Sequence, residues 1–339
     1  MNKLILIVVL LAITSLSCKK SDTPKGDGAP TDLTINTVVS TDSSGNVSFT
    51  ASATNAVVYL FDFGNTANDV SVTGVVNYQY TTSGVYTVTV VAKNSTGKSI
   101  SKTTLVAVNV AQDIFWSDEF DSPGPPNSAK WGYDLGAGGW GNNELEYYTN
   151  RTDNAVVSDG TLKIILKKED YNGSAYTSAR LLTKGKFSFK YGTIKIRAKL
   201  PAGGGTWPAI WMLGDNLSTV GWPACGEIDI MEHIGNQLNK IFGTLHHPGH
   251  SGGNGDGSSV VISNATTEFH VYSLEWSAAT IKFSVDDVPF YTFTNSASLP
   301  FNQNFFIILN VAMGGNFGGA VDPAFTSGTM EIDYVRVYK

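Results

Sequence analysis

The sequence predicts an all-β protein, a small β-sandwich followed by a large sandwich of the jelly-roll kind. Three observations carry this. Gly, Ser, Thr, Asn, Val and Tyr dominate, while the helix formers Glu, Lys and Gln are sparse. Apolar and polar residues alternate over short runs, the period of a half-buried strand. Turn residues punctuate those runs. At 339 residues the chain holds one large or two ordinary domains. Charged residues make up only 15% and the net charge is -6. With no basic cluster to neutralise phosphates, this argues against nucleic acid or an anionic membrane surface as partner.

At the N-terminus, Lys3 precedes an apolar core from Leu4 to Leu16. That core is too short for a stable bilayer anchor and reads as an export signal, residues 1–17. It ends at Ser15-Leu16-Ser17-Cys18, which resembles a bacterial lipoprotein cleavage site with Ser15 in place of the usual aliphatic residue. Cys18 is therefore the candidate lipidation site, and the protein is expected at the cell envelope. The polar stretch to Pro30 reads as a flexible tether. Cys225 is the one other cysteine, so lipidation of Cys18 leaves no intrachain disulfide. No activating histidine pairing is evident beside Cys225, which reads as a small packing residue.

Residues 31–110 alternate as short strands. In Val85 to Ala92, Tyr86, Val88, Val90 and Ala92 face one way and the threonines the other, before Asn94-Ser95-Thr96-Gly97 turns the chain. About 80 residues of this kind suggest a small sandwich. Phe61-Asp62-Phe63-Gly64-Asn65, Tyr78-Gln79-Tyr80 and Gly84-Val85-Tyr86 resemble a PKD domain, which implies an immunoglobulin-like fold. The family usually has Trp at the position of Phe61 and Asp at that of Asn65. All seven tryptophans lie at or beyond Trp116, so a spacer role is favoured over polysaccharide binding.

Residues 111–339 form the large domain. Leu162, Ile164 and Leu166 mark one strand, and Phe187, Phe189 and Tyr191 a second. Ile194, Ile196, Ala198 and Leu200 mark a third, and Ile281, Phe283 and Val285 a fourth that leads into an Asp286-Asp287 turn. Phe305 to Val311 is nearly continuous apolar, which predicts a strand covered on both faces. Glu227-Ile228-Asp229-Ile230-Met231-Glu232 stands out among these segments. Glu227 and Asp229 share one face of a strand, and strict alternation sends Glu232 to the other. One inserted residue, a β-bulge, would bring it back. Three like charges on one short surface repel, so one carboxyl is expected to hold its proton at neutral pH. One ionised and one protonated carboxyl is what glycoside hydrolysis requires.

Gly221-Trp222-Pro223-Ala224-Cys225-Gly226-Glu227-Ile228-Asp229-Ile230-Met231-Glu232-His233 resembles the signature of glycoside hydrolase family 16, in the bulged form found in bacterial laminarinases. Gly139 to Tyr148, Tyr176 to Arg180, Gly205 to Leu213 and Gly243 to His246 match the family in the expected order. The resemblance implies a concanavalin A-like jelly roll with a cleft across its concave sheet. It implies that Asn142, Glu144 and Arg180 reach the substrate, and that Trp207, Trp211 and Trp222 line the cleft. Apolar sugar faces suit aromatic platforms. Trp207 and Trp222, beside Pro and Gly, read as such platforms; Trp211 reads equally as core or cleft, and Trp116 and Trp276 as core. His246 and His247 invite a metal reading, but His233 and His250 lack a clear ligand spacing with flanking acids. A polar contact from His246 to sugar is favoured over zinc. Gly252 to Gly257 reads as a flexible loop shaping one end of the cleft. Glu119, Gly160 and Asp333 match the positions of a structural calcium site in the family, partly through backbone carbonyls.

The resulting expectation is an exported, monomeric, retaining endo-β-1,3-glucanase that needs no cofactor for catalysis. Glu227 is the nucleophile, Glu232 the acid and base, and Asp229 a partner of the nucleophile that keeps the local field negative. A mixed-linkage glucanase and an agarase- or carrageenase-type galactan hydrolase remain alternatives on the same fold. A non-catalytic glucan-binding protein is the alternative from another class.

Overall fold

The computed structural model describes residues 28–111 and 113–339. The chain divides into two compact units between Ala111 and Gln112. The expected export signal, Cys18 and most of the expected tether lie outside the described residues.

In the first unit, Thr31–Val39, Asn46–Thr54 and Val75–Gln79 form a three-stranded sheet. Asn68–Ser71, Val58–Asp62, Gly84–Lys93 and Ser99–Val108 form a four-stranded one, in that order. Val47 and Phe49 from one sheet share a core with Phe61, Val88 and Val90 from the other. In the Gly84–Lys93 strand, Val88, Val90 and Ala92 are fully buried, as the alternation requires. Tyr78 stacks on Phe63 with ring centroids 3.9 Å apart. The hydroxyl of the buried Tyr80 donates to the Phe63 carbonyl at 3.0 Å. The aromatic motif residues are thus the centre of this core.

The second unit stacks a ten-stranded sheet on a seven-stranded one. In the larger sheet, Ser327–Tyr338 pairs with Thr161–Tyr171, Gly192–Lys199 and Ile114–Asp118. The smaller sheet runs Asp256–Val261, Lys240–His246, Glu227–His233, Thr206–Gly214, Phe305–Met313, Arg180–Leu182, Gly132–Asp134, and every neighbouring pair is antiparallel. Leu162, Ile164 and Ile194 from the larger sheet meet Ile210, Met212, Ile307 and Leu309 from the smaller in one core. Each such side chain contributes about 1.5–3 kcal/mol by leaving water.

Phe305–Met313 is buried at every position. Its odd-numbered residues from Phe305 to Met313 join the main core. Phe306 and Ile308 join a second apolar cluster with Leu182, Leu213 and Cys225 on the opposite face. Cys225 is accordingly a buried, free packing residue whose thiol pKa is raised by burial. Trp276 is core, and Trp116 packs against it. The Asp286-Asp287 turn has positive φ at both residues, 51° and 61°, the type I′ geometry that matches strand twist.

The expected strand through Phe187, Phe189 and Tyr191 is not formed. Phe189 makes only an isolated bridge to Phe305, and the strand begins at Gly192. Tyr191 has a φ of 59°, which ends extended pairing there. The aromatic alternation reflects ring packing instead: Phe187 stacks on Trp116 at 4.6 Å, and Tyr191 meets Trp276 edge-on at 5.3 Å.

Candidate active site

The strand Glu227–His233 sits third in the seven-stranded sheet. On one side Trp211 pairs with Asp229 and Ala209 with Glu232; on the other Thr244 pairs with Asp229 and Phe242 with Glu232. Three residue steps on the acidic strand thus match two on each neighbour, which is the bulge the motif called for. Ile228, Ile230 and Met231 turn into the main core, while Glu227, Asp229 and Glu232 all line one cleft.

The cleft encloses about 800 Å³. It runs from Ser258 and Gly257 at one edge of the sheet to Arg180 near the other. Six strands spaced ~4.8 Å apart make this span about 24 Å. Lining residues therefore stand on both sides of the carboxylates. Asn142, Glu144, Arg180, Trp207, Trp211, Trp222 and His246 all lie on this wall, as do Gly252 and Gly257 of the predicted loop.

Each glutamate is held by an indole. Trp222 Nε1 donates to Glu227 Oε2 at 2.9 Å, and Trp207 Nε1 donates to Glu232 Oε1 at 3.0 Å. Thr244 adds a longer contact of 3.5 Å to Glu232. His246 Nε2 lies 3.2 Å from Asp229 Oδ2 and 3.8 Å from Glu227 Oε1. Burial lifts all three carboxyls above the usual carboxylate range. Repulsion from Asp229 adds to the rise at Glu227, and repulsion from Glu232 to that at Asp229. His246 opposes the rise at both glutamates.

Trp211 faces the cleft rather than the core. Its Nε1 donates to Asn310 Oδ1 at 2.8 Å. The Arg180 guanidinium lies 4.7 Å from the Trp211 ring and 5.0 Å from the Trp140 ring, and Arg180 pairs with Asp134 at 3.0 Å. Asn142 donates to Glu144 Oε1 at 3.2 Å. Tyr148 donates to Glu144 Oε2 at 2.9 Å and accepts from Asn310 Nδ2, also at 2.9 Å. Behind them Glu146 is fully buried, and burial first, then Glu144, raises its pKa well above the usual range.

Sequence reasoning did not single out Phe242, Asn310 or Phe317. Phe317 meets Trp207 edge-on at 5.5 Å and Phe242 at 5.1 Å, walling the side where Glu232 sits. Its signal was the run Gly314-Gly315-Asn316-Phe317-Gly318-Gly319, a glycine-rich turn presenting one aromatic. Asn310 was hidden inside an apolar strand.

The expected calcium ligands are engaged otherwise. Both carboxylate oxygens of Glu119 accept from Arg336, at 2.7 to 3.2 Å, and Asp333 Oδ2 accepts from Arg197 at 2.7 Å. Gly160 lies in the turn between Ala155–Ser158 and Thr161–Tyr171. The carboxylates of Glu119 and Asp333 are thus each paired with a guanidinium, and a calcium ion held there would draw on backbone carbonyl oxygens instead.

The family model for "Glycosyl hydrolases family 16" matches residues 142–336, more than half of the chain and all within the second unit. The chain belongs to glycosyl hydrolase family 16. It is a glycoside hydrolase. A second model, "Beta-glucan synthesis-associated protein SKN1/KRE6/Sbg1", matches residues 46–231 and stops one residue short of Glu232. Among curated relatives, a beta-glucanase of Rhodothermus marinus is 47% identical over 243 residues, 67% of this chain and 85% of that protein. A glucan endo-1,3-beta-glucosidase of Cryptopygus antarcticus is 38% identical, covering 65% of this chain and 90% of that protein. The crystal structure of the laminarinase from Rhodothermus marinus superposes with a TM-score of 0.65 at 46% identity, covering 68% of this chain and 98% of that one. The matched region in family 16 is therefore the cleft-bearing jelly roll.

Proposed function

We propose that this family 16 enzyme is an endo-acting β-1,3-glucanase that hydrolyses laminarin-type glucan with retention. The observation that carries the mechanism is the bulged strand: it sets Glu227 and Glu232 in one cleft, each gripped by a different tryptophan N–H. Glu227 attacks the anomeric carbon as Glu232 gives its proton to the leaving glycosidic oxygen. The C–O bond breaks and a glycosyl ester forms on Glu227. Glu232, now ionised, takes a proton from water, whose oxygen displaces Glu227 and restores the β configuration. Burial, then repulsion from Glu232, raises the pKa of Asp229 beside the nucleophile well above the usual carboxylate range. In its expected role Asp229 hydrogen-bonds the nucleophile Glu227 and keeps the local field negative for the oxocarbenium-like transition state.

The length of the cleft supports endo action, because glucan contacts are available on both sides of the cleavage point. Trp140, Trp207 and Trp222 line the cleft and offer aromatic surface to the apolar faces of a bent β-1,3 chain. Axial hydroxyls of a galactan would disturb stacking and leave polar groups in the cleft unpaired. The relatives with glucanase names favour the same substrate. Export through residues 1–17, lipid anchoring at Cys18 and a PKD-like spacer over 31–110 complete the proposal, with the enzyme acting as a monomer on polysaccharide at the cell surface.

The test is product analysis with laminarin, barley mixed-linkage glucan, agarose and carrageenan. Laminarin is expected to give the highest kcat/KM and a β-configured product. Glu227→Ala should be rescued by azide to an α-glycosyl azide, and Glu232→Ala to the β product. A galactan as best substrate sinks the specificity reading; interchanged azide products swap the two roles.

A further inference from the structure

Among the described residues, and outside the catalytic carboxylates, one group of side chains is built like a metal site. His247, His250 and Asp256 bring one donor atom each within 4.8 Å of one another. The sequence reading lacked an acid for these histidines, and Asp256 supplies it from the neighbouring strand. His247 Nε2 is 2.9 Å from Asp256 Oδ2, and His250 Nδ1 is 3.0 Å from Asp256 Oδ1.

Local sequence explains the convergence. His247-Pro248-Gly249-His250 is a tight turn: His247 N donates to the His250 carbonyl at 2.8 Å, and His250 N to the His247 carbonyl at 2.9 Å. Pro at the second position and Gly at the third, with φ of 86°, is the type II pattern. The turn sets the two imidazoles face to face, centroids 4.7 Å apart. Phe301 and Phe293 pack against His247, at 5.7 and 6.1 Å, and fix its ring. His247 is buried, whereas His250 is open to solvent.

The structure assigns these three residues as the ligands of a zinc-type divalent cation that clips the loop between Lys240–His246 and Asp256–Val261. Two imidazole nitrogens and one carboxylate oxygen, with solvent at a fourth position, are a donor set for zinc or a neighbouring late transition metal. Nitrogen donors disfavour calcium and magnesium. Ligand atoms on a tetrahedral zinc stand about 3.3 Å apart, and the three donors already lie within 4.8 Å of one another, so the side chains close on the ion by at most about 1.5 Å. The clip bears on the cleft. A Cβ added at Gly255 would lie 2.7 Å from the His246 ring, so the clipped loop packs directly on that imidazole.

The test titrates the full chain with ZnCl2, with CaCl2 as control, and reads bound zinc by equilibrium dialysis and the midpoint of thermal unfolding. Zinc at micromolar concentration is expected to bind one per chain and raise the midpoint, while calcium at the same concentration does not reproduce the shift. His250→Ala and Asp256→Asn should each weaken zinc binding by at least about 100-fold. Both variants should hydrolyse laminarin without added metal as the wild type does, which reports that they fold. Absence of zinc binding to the wild type overturns the assignment. So does zinc binding unchanged in both variants, the result expected of ordinary His–Asp pairs with the ion held at Glu227, Asp229 and His246 instead.

Discussion

At the scale of single residues, the catalytic cluster holds charge where burial opposes it. Glu227, Asp229 and Glu232 all have pKa values raised by burial. A carboxyl whose folded pKa exceeds its unfolded value keeps its proton longer in the folded state. Stability is then fullest below the unfolded pKa, near 4, and falls as pH rises toward the folded pKa. Glu232→Gln keeps an acceptor for the Trp207 N–H and removes the charge. It is expected to abolish hydrolysis and yet raise the unfolding free energy by about 1–2 kcal/mol at pH 8. That gap should close below pH 4. Urea unfolding at a series of pH values measures it, and equal stability at pH 8 would show that the site ionises without strain. The carboxylates were legible in the sequence because charge in an apolar strand is conspicuous. Trp211 was not, since alternation assigns a face without saying which face is the core.

At the scale of elements, the bulge at Ile230 decides the chemistry. Register on both neighbouring strands shows one extra residue between Asp229 and Glu232. Deleting Ile230 alone would leave Glu232 four residues from Glu227 and still on the cleft face, whereas deleting Ile230 and Met231 together leaves odd spacing without a bulge and should send Glu232 toward the main core. The loss in kcat/KM on laminarin expected of the double deletion is at least about 10³-fold, the scale of a lost acid catalyst. Ile230→Ala separates register from packing. It keeps the residue count, so activity at 25 °C should stay within about ten-fold of wild type, although stability falls by about 2–5 kcal/mol. Comparable inactivation of the double deletion and Ile230→Ala, with both folded by circular dichroism, would mean that the side chain rather than the count matters. The bulge was inferable because three carboxylates on one surface need it. The failed strand at Phe187 to Tyr191 shows the limit: period-two aromatics also arise from ring packing in irregular backbone.

At the scale of the molecule, the two units have separate cores, and every residue lining the cleft belongs to the second. A chain beginning at Ala111 should fold and cleave soluble laminarin with kcat/KM within about two-fold of the full chain, since separate cores act independently. A large loss with folding intact would place the first unit in the site and refute its spacer role. Composition and alternation were enough to specify an all-β chain and the acidic strand, because these depend on local period and residue chemistry; Asn142, Glu144 and Arg180 of the cleft were reached through the family resemblance, and Phe242, Asn310 and Phe317 were not reached at all. The pairing of Glu119 with Arg336, of each glutamate with its own tryptophan, and of two turn histidines with Asp256 join residues from different strands or loops. Such contacts are set by strand order and by how loops return across a sheet, and no period in the sequence encodes that return.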